Sequence, residues 1–311
     1  MTDVSTVDPA SDRLGFADAI DRVRETLAEW VRHASEEMRE ALEWQFADGS
    51  KFFRPLTIFS CYQAVYEGPL PPRLIRSAAV LEMFHNVSLI VDDILDESAQ
   101  RRGRATLHRR FGNLPALMVS GYVVAEGYRL VRDDPHDIAL LSELLTRLGV
   151  AECLQWRLRR QPLGVADWQL IAGEDTGSMF EVCACLGTRS QELRRFGHLL
   201  GMLYHGCDDV GDVRGAAALG GGGEEDLRDG ILTLPAALAI RDPDTARLFC
   251  APQPSAADLK TLAAAFAARL PDAERHLDGI AEQARGEACA AAANPAPLLT
   301  LVDRTRQLSA R

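Results

Sequence analysis

Apolar positions along this chain recur at steps of three and four. Phe16, Ile20, Val23, Leu27 and Trp30 form one stripe, and Phe196, Leu199, Leu200 and Leu203 form another ahead of Cys207. That is the period of an amphipathic α-helix, whose side chains return to one face about every 3.6 residues. From Ala273 to Ala293 the chain is alanine-rich, mixed in charge and free of proline, a composition that favours helix. Alternating β-branched runs bounded by turns are essentially missing, so the predicted elements are helices throughout.

The breaks between them are short. They fall at Asp48-Gly49-Ser50, at Gly68-Pro69-Leu70-Pro71-Pro72, at Asp133-Asp134-Pro135 and at Asp242-Pro243. Connections of that length suit antiparallel helices in one bundle. The pattern therefore predicts a disordered tail over residues 1–12 and one all-α domain over 13–311. Within it, residues 214–230 carry the run Gly220 to Gly223, which predicts a mobile loop. Its place directly after an acidic motif favours a lid over an incidental surface insertion.

Composition narrows the function. With 311 residues, 47% hydrophobic and 25% charged, the chain can bury a large core, which excludes global disorder. A net charge of −11 gives no general reason to bind nucleic acid or an anionic membrane face. An anionic ligand needs a local basic site or metal ions. No apolar run approaches the ~20 residues of a membrane helix, so no span is expected. The opening MTDVSTVDPASD lacks an apolar core, which argues against a signal peptide and for a cytoplasmic protein. Seven scattered cysteines contain no CxxC pair, and most are expected to be small buried hydrophobes in a reducing cytoplasm.

Two acidic clusters stand out. Asp92-Asp93-Ile94-Leu95-Asp96 follows the apolar stretch Val87 to Val91, and Asp208-Asp209-Val210-Gly211-Asp212 follows Leu199 to Cys207. In each, the first and last Asp are four apart and share a helix face about 6 Å apart along the axis. Like charges at that spacing are mildly destabilising, and Asp at a helix C-terminus opposes the macrodipole. A single cluster could be a solvated helix end; two with one spacing call for a function. Oxygen-only ligands select hard cations, and Mg²⁺ binds through a few carboxylates plus substrate phosphates. Basic residues accompany the first cluster. Arg101-Arg102-Gly103 follow it, His85 lies two turns before it, and Lys51 and Arg54 share a face if their segment is helical. Together they would make a basic pocket beside a metal-lined acidic one, as two diphosphates in one cavity require.

These residues resemble the trans-isoprenyl diphosphate synthases (polyprenyl synthetases). His85 through Ser98, Arg101-Arg102-Gly103, His108 and Phe111-Gly112 look like the first aspartate-rich region, in wording closest to geranylgeranyl diphosphate synthases. Asp208 to Asp212 resembles the second motif, and Asp226-Leu227, Gly230 and Thr233-Leu234-Pro235 resemble a downstream DLxxGKxTLP element. The resemblance implies an isoprenoid-synthase-type helical bundle with a central active-site cavity, usually a homodimer. It implies that Asp92, Asp96 and Asp208 carry Mg²⁺, three ions with bound diphosphate, with Asp93, Asp209 and Asp212 supporting. Lys51, Arg54, His85 and Arg102 take the positions that hold isopentenyl diphosphate, and Arg101 touches the allylic diphosphate. Gln155 lines the cavity, although Leu158 replaces the usual Asp. Thr176 belongs to a middle-helix Thr-Gly pair on the allylic side. Val87 and Ser88 sit at the chain-length floor. Neither is aromatic, so chains beyond fifteen carbons should fit, and twenty is expected.

The departures fall on the allylic side. Family lysines are replaced by Asp175 ahead of Thr176-Gly177 and by Ile231 in the GKxTLP position, and the Gln before the second motif is His205. Asp175 should repel a diphosphate unless it recruits a metal or faces away. Arg157, Arg159 and Arg160 are candidate replacements for the lost cations. Three readings stay open: an ordinary short-chain synthase, a relative turned terpene cyclase or prenyltransferase to a non-isoprenoid acceptor, and a non-catalytic partner subunit.

Overall fold

The computed structural model describes residues 14–47, 51–101, 103–215 and 223–309. The expectations for the tail at 1–12, the turn at 48–50, Arg102 and the glycines of 216–222 fall outside the described residues. In chain order the helices are α1 (Ala17–Arg32), α2 (Glu36–Phe46), α3 (Phe53–Val65) and α4 (Pro72–Leu95). A two-residue hairpin, β1 (Gln100–Arg101) with β2 (Arg104–Ala105), follows. Then come α5 (Leu107–Phe111), α6 (Asn113–Leu130), α7 (Pro135–Leu158), α8 (Val165–Ala172), a π-helical turn (Gly173–Gly177) and α9 (Ser178–Thr188). The chain continues through α10 (Arg194–Val213), α11 (Gly223–Asp229), α12 (Leu234–Ala239), α13 (Pro243–Phe249), α14 (Ala256–Ala267), α15 (Leu270–Ala291) and α16 (Ala296–Arg306). The architecture is all-α, as the hydrophobic period predicts.

Helix α11 revises the expected loop over 214–230. Glu225 and Asp226 lie near its N-terminus, where a negative charge complements the helix dipole. Gly230, at a φ of 70°, ends it in a left-handed conformation that suits glycine.

Packing divides the chain into two compact units. One takes residues up to Ser142 together with Cys183–Glu192 and Ala292–Leu298; the other takes Glu143–Val182, Leu193–Ala291 and Leu299–Arg311. In the first unit α4 is central and packs on α1, α3 and α6. It is buried on every side from Ser77 to Phe84. Where α6 crosses it, Gly127 is required: a Cβ there would sit 2.4 Å from the Phe84 ring. The α1 stripe from Phe16 to Trp30 is buried as expected, each large side chain contributing about 1.5–3 kcal/mol. Helix α4 is long and apolar enough to cross a membrane by length and composition, and 61% of its apolar window is buried inside the protein.

One group of potential metal ligands in this unit, Asp134, His136 and Asp137, brings its ligand atoms within 4.8 Å of one another. Each carboxylate already has a structural partner. Arg189 holds Asp134 from two guanidinium nitrogens at 2.6 and 3.1 Å and keeps its pKa down at about 2. Asp134 also accepts from the Asp137 amide at 3.3 Å, and Asp137 accepts from the Ser77 hydroxyl. The group starts helix α7.

In the second unit α10 is central and packs on α15, α12, α8 and the π-turn. Its predicted stripe of Phe196, Leu199, Leu200 and Leu203 is buried. Gly197 and Gly201 let it approach closely. A Cβ at Gly197 would lie 2.4 Å from the Phe180 carbonyl oxygen, and one at Gly201 would lie 2.6 Å from the Thr176 carbonyl oxygen. The next residues on that face at four-residue steps are His205 and Asp209.

Candidate active site

The first aspartate cluster closes α4. The Asp96 amide donates to the Asp92 carbonyl at 2.9 Å, and the Ser98 amide donates to the Asp93 carbonyl at 3.0 Å. Glu97, at a φ of 53°, then turns the chain out of the helix. Within the cluster the three carboxylates differ. Asp93 is only 3% exposed, and its Oδ1 accepts from Arg101 Nε at 2.8 Å. Burial pushes the Asp93 carboxyl up, against the pull of the Arg101 guanidinium. Asp92 and Asp96 remain partly exposed at the helix end.

Arg101 reaches Asp93 because the β1–β2 hairpin folds back, with Gly103 at a φ of 77° in its turn. Trp44 steadies that hairpin. Its indole nitrogen donates to the Ala105 carbonyl at 3.0 Å, and the Arg104 guanidinium lies 4.0 Å over its ring. Trp44, His85, Asn86, Arg101, Arg104 and Thr106 line one cleft. Two of the predicted substrate residues, His85 and Arg101, are thus brought together, while Trp44 and Arg104 join them without a motif to announce them.

The other predicted residues of this unit are local. Arg54 sits in the first turn of α3, whereas exposed Lys51 precedes the left-handed Phe52 that starts the helix. The shared helical face expected of the two therefore does not form. Val87 is buried, and the Ser88 hydroxyl is turned back to the His85 carbonyl at 2.9 Å.

The second cluster ends α10. Asp209, 8% exposed, accepts at Oδ2 from the Trp168 indole nitrogen at 2.8 Å and from the Leu234 amide at 2.7 Å. Leu234 opens α12, with Thr233 as its cap. The Thr-Leu-Pro element thereby presents a helix N–H to a carboxylate, a favourable end of the dipole for a negative charge. Asp208 and Asp212 point from the same helix and stay partly exposed.

His205 lies one turn before Asp209. Its Nδ1 is 2.9 Å from Thr176 Oγ1 and 3.3 Å from Asp175 Oδ2, and its Nε2 is 3.8 Å from Asp209 Oδ1. The Thr176 hydroxyl in turn donates to Asp175 at 3.0 Å. Burial lowers the His205 pKa, but the flanking Asp209 and Asp175 carboxylates outweigh it and carry the imidazole up to about 9. Arg147 fixes the same turn through Glu174, at 2.9 and 3.2 Å.

Arg147 also bonds Glu181 at 2.7 Å, and Arg194 and His198 bond Glu181 at 2.8 Å each. None of these cations was evident from motifs. Burial pushes Glu181 up, yet the bonds from His198, Arg147 and Arg194 overcome it and hold the carboxyl at about 2.

Of the arginines that were candidates to replace the lost lysines, Arg160 and Arg159 have other partners. Arg160 is bound to the carbonyls of Arg228 and Phe249. Arg159 lies 4.3 Å over the Trp156 ring, and Arg157 is exposed. Gln155 is half-buried on α7.

The exposed donors of both clusters are carboxylate oxygens only, the set that suits a hard divalent cation. The fold is shared with a polyprenyl synthase from Caulobacter crescentus, solved with calcium and isoprenyl diphosphate. It superposes with a TM-score of 0.86 over 99% of each chain, at 22% identity. In sequence, a nonaprenyl diphosphate synthase of Mycobacterium tuberculosis is 30% identical over 254 residues, 77% of this chain and 74% of the relative. An octaprenyl diphosphate synthase of Haemophilus influenzae is 30% identical over 62% of each chain, so the match spans less than two thirds of that relative. The polyprenyl synthetase family model matches residues 35–266, taking in both aspartate clusters, the π-turn and the Thr-Leu-Pro element. With three quarters of its length under that match, the chain belongs to the polyprenyl synthetase family and is an all-α prenyltransferase.

Proposed function

We propose that this chain condenses isopentenyl diphosphate head to tail with an allylic diphosphate to make a longer prenyl diphosphate. The observation that carries the reading is the division of labour within each aspartate cluster. One carboxylate is held by protein donors, Asp93 by Arg101 and Asp209 by Trp168 and the Leu234 amide. The others stay partly exposed, with chemistry suited to a cation. Asp92, Asp96 and Asp208 would hold Mg²⁺, three ions with the allylic diphosphate, with Asp212 in support. Bound there, Mg²⁺ neutralises the charge that builds on the departing diphosphate.

The side chains supply the rest. Arg101 offers charge-assisted hydrogen bonds to the leaving diphosphate. Lys51, Arg54, His85 and Arg102 hold isopentenyl diphosphate; Gln155 and Thr176 contribute to the allylic side. The allylic carbon–oxygen bond breaks, the isopentenyl double bond attacks the cation, and the released diphosphate takes the proton that restores a double bond. The reaction requires that water be kept from the cation.

Product length has two supports that disagree. The non-aromatic Val87 and Ser88 and the wording of the first motif favour twenty carbons. The relatives above are named for forty- and forty-five-carbon products, which favours a longer chain. A homodimer is supported by α6, where Leu114, Leu117 and Met118 are 68%, 47% and 53% exposed. Their spacing makes a contiguous apolar stripe on one helix, a surface suited to a second copy of the chain.

The test is a product assay with Mg²⁺ and dimethylallyl, geranyl or farnesyl diphosphate, each with and without isopentenyl diphosphate, read by mass spectrometry before and after phosphatase. A longer prenyl alcohol seen only with isopentenyl diphosphate and phosphatase supports elongation and gives the length. A hydrocarbon or terpene alcohol formed without either overturns it in favour of cyclase chemistry.

A further inference from the structure

The pair Asp175 and His205 was not expected as a pair. They come from different elements, the π-turn and α10, and meet because Gly201 lets the backbones close to within a side chain's thickness. His205 has oxygen acceptors at both ring nitrogens. Thr176 Oγ1 and Asp175 Oδ2 lie at Nδ1, and Asp209 Oδ1 lies toward Nε2. A ring with acceptors on both sides is best served by donating from both, as the doubly protonated imidazolium does. Asp175 is drawn further into the arrangement by the Thr176 hydroxyl. Asp209, at the far end, is anchored by Trp168 and Leu234. Glu174, beside Asp175, is clamped by Arg147, so the π-turn is held on either side of the contact.

We propose that Asp175 and His205 act as one positioning unit, a carboxylate and an imidazole that together set the π-turn against the second aspartate cluster. In this arrangement the Asp175 charge faces His205, which lessens its repulsion of a diphosphate. The positive charge that faces Asp175 is His205, one helical turn from Asp209. Neither residue can then revert alone. Lysine at 175 would meet the His205 ring, and glutamine at 205 would release the Asp175 charge. The inference rests on the proposed elongation activity for its kinetic readout, and on the folded apoprotein for a second one.

The experiment is a double-mutant cycle of Asp175→Lys, His205→Gln and both together, which isolates the coupling between contacting residues. Kinetics are measured for the allylic and isopentenyl diphosphates separately, and thermal midpoints are measured in EDTA. Each single variant should raise the allylic KM about tenfold with the isopentenyl KM within about twofold. The double variant should return to within about threefold of wild type. The EDTA midpoints should show the same rescue, both singles falling and the double recovering. If Asp175→Lys does not fold, Asp175→Asn replaces it, and His205→Gln should then rescue that variant in the same way. Additive single effects in both readouts would overturn the pairing. A wild type that elongates nothing would sink the proposed function, and the midpoint cycle would still decide whether the pair is coupled.

Discussion

Asp209 and Asp208 are neighbours in one motif, yet their surroundings predict opposite consequences of losing them. Asp209→Ala removes the acceptor for the Trp168 indole N–H and the Leu234 amide, bonded at 2.8 and 2.7 Å. Trp168 is fully buried and Leu234 is too, so water cannot readily replace the carboxylate. A buried donor left unpaired costs about 1–3 kcal/mol, and two of them cost about 2–6 kcal/mol. Part of this is returned, because burying the Asp209 charge is itself unfavourable and pushes its carboxyl up. A loss of about 2–4 kcal/mol is the expectation, near 2 °C of melting temperature per kcal/mol for a chain of this size. Both bonds go to the one oxygen Oδ2, so Asp209→Asn, whose amide oxygen can take that place, should lose less than Asp209→Ala. Asp208→Ala, at a partly exposed position, should lose clearly less than Asp209→Ala. The assay is thermal and chemical denaturation of the three variants without metal. Asp208→Ala falling as far as Asp209→Ala, or Asp209→Ala melting with wild type, would refute the assignment of Asp209 as the brace and Asp208 as the exposed ligand.

Asp92→Ala and Asp208→Ala should each lower turnover by orders of magnitude with melting temperatures nearly unchanged, and excess EDTA should do the same to wild type; turnover surviving EDTA would remove the metal role. Val87→Phe, which adds bulk at a buried position, should shorten the product at a packing cost of about 1–3 kcal/mol; an unchanged product by mass spectrometry would put the floor elsewhere. Glu181→Gln should destabilise by roughly 3 kcal/mol at pH 7, the value of a carboxyl moved from 4.5 to about 2 in a site 9% exposed. Because the folded pKa is depressed, that contribution is present above pH ~4.5 and lost as pH falls toward 2. Wild type and variant should therefore converge in acid, and a gap at pH 2.5 equal to that at pH 7 would contradict the ion network.

Much of the molecule was legible from side-chain chemistry in order. The α1 and α10 stripes are local patterns, and each dictates which face of its own helix is buried. The aspartates of both clusters could be picked out because carboxylates four apart at the end of an apolar helix are locally unfavourable. The Thr-Leu-Pro element was visible as a motif, though its partner was not. What Trp168, Trp44 and Arg147 do was invisible, since a single tryptophan or arginine carries no positional signal until a distant residue meets it. The expected helical pairing of Lys51 with Arg54 failed for a backbone reason: Phe52 takes a left-handed conformation, and α3 starts only after it.

The sequence alone determined the helical class, the two aspartate motifs and the family, because hydrophobic period and short motifs are properties of neighbouring residues. Only the tertiary structure decided what each aspartate does. Asp92 and Asp93 are adjacent in the chain, but Asp93 is buried against Arg101 while Asp92 stays partly exposed, because successive helical residues are rotated about 100°. It also decided the meaning of Asp175. Read in order, that residue is a missing lysine and a misplaced negative charge. In the fold it is the partner of His205, since a charge's cost or benefit depends on what lies within a few ångströms of it.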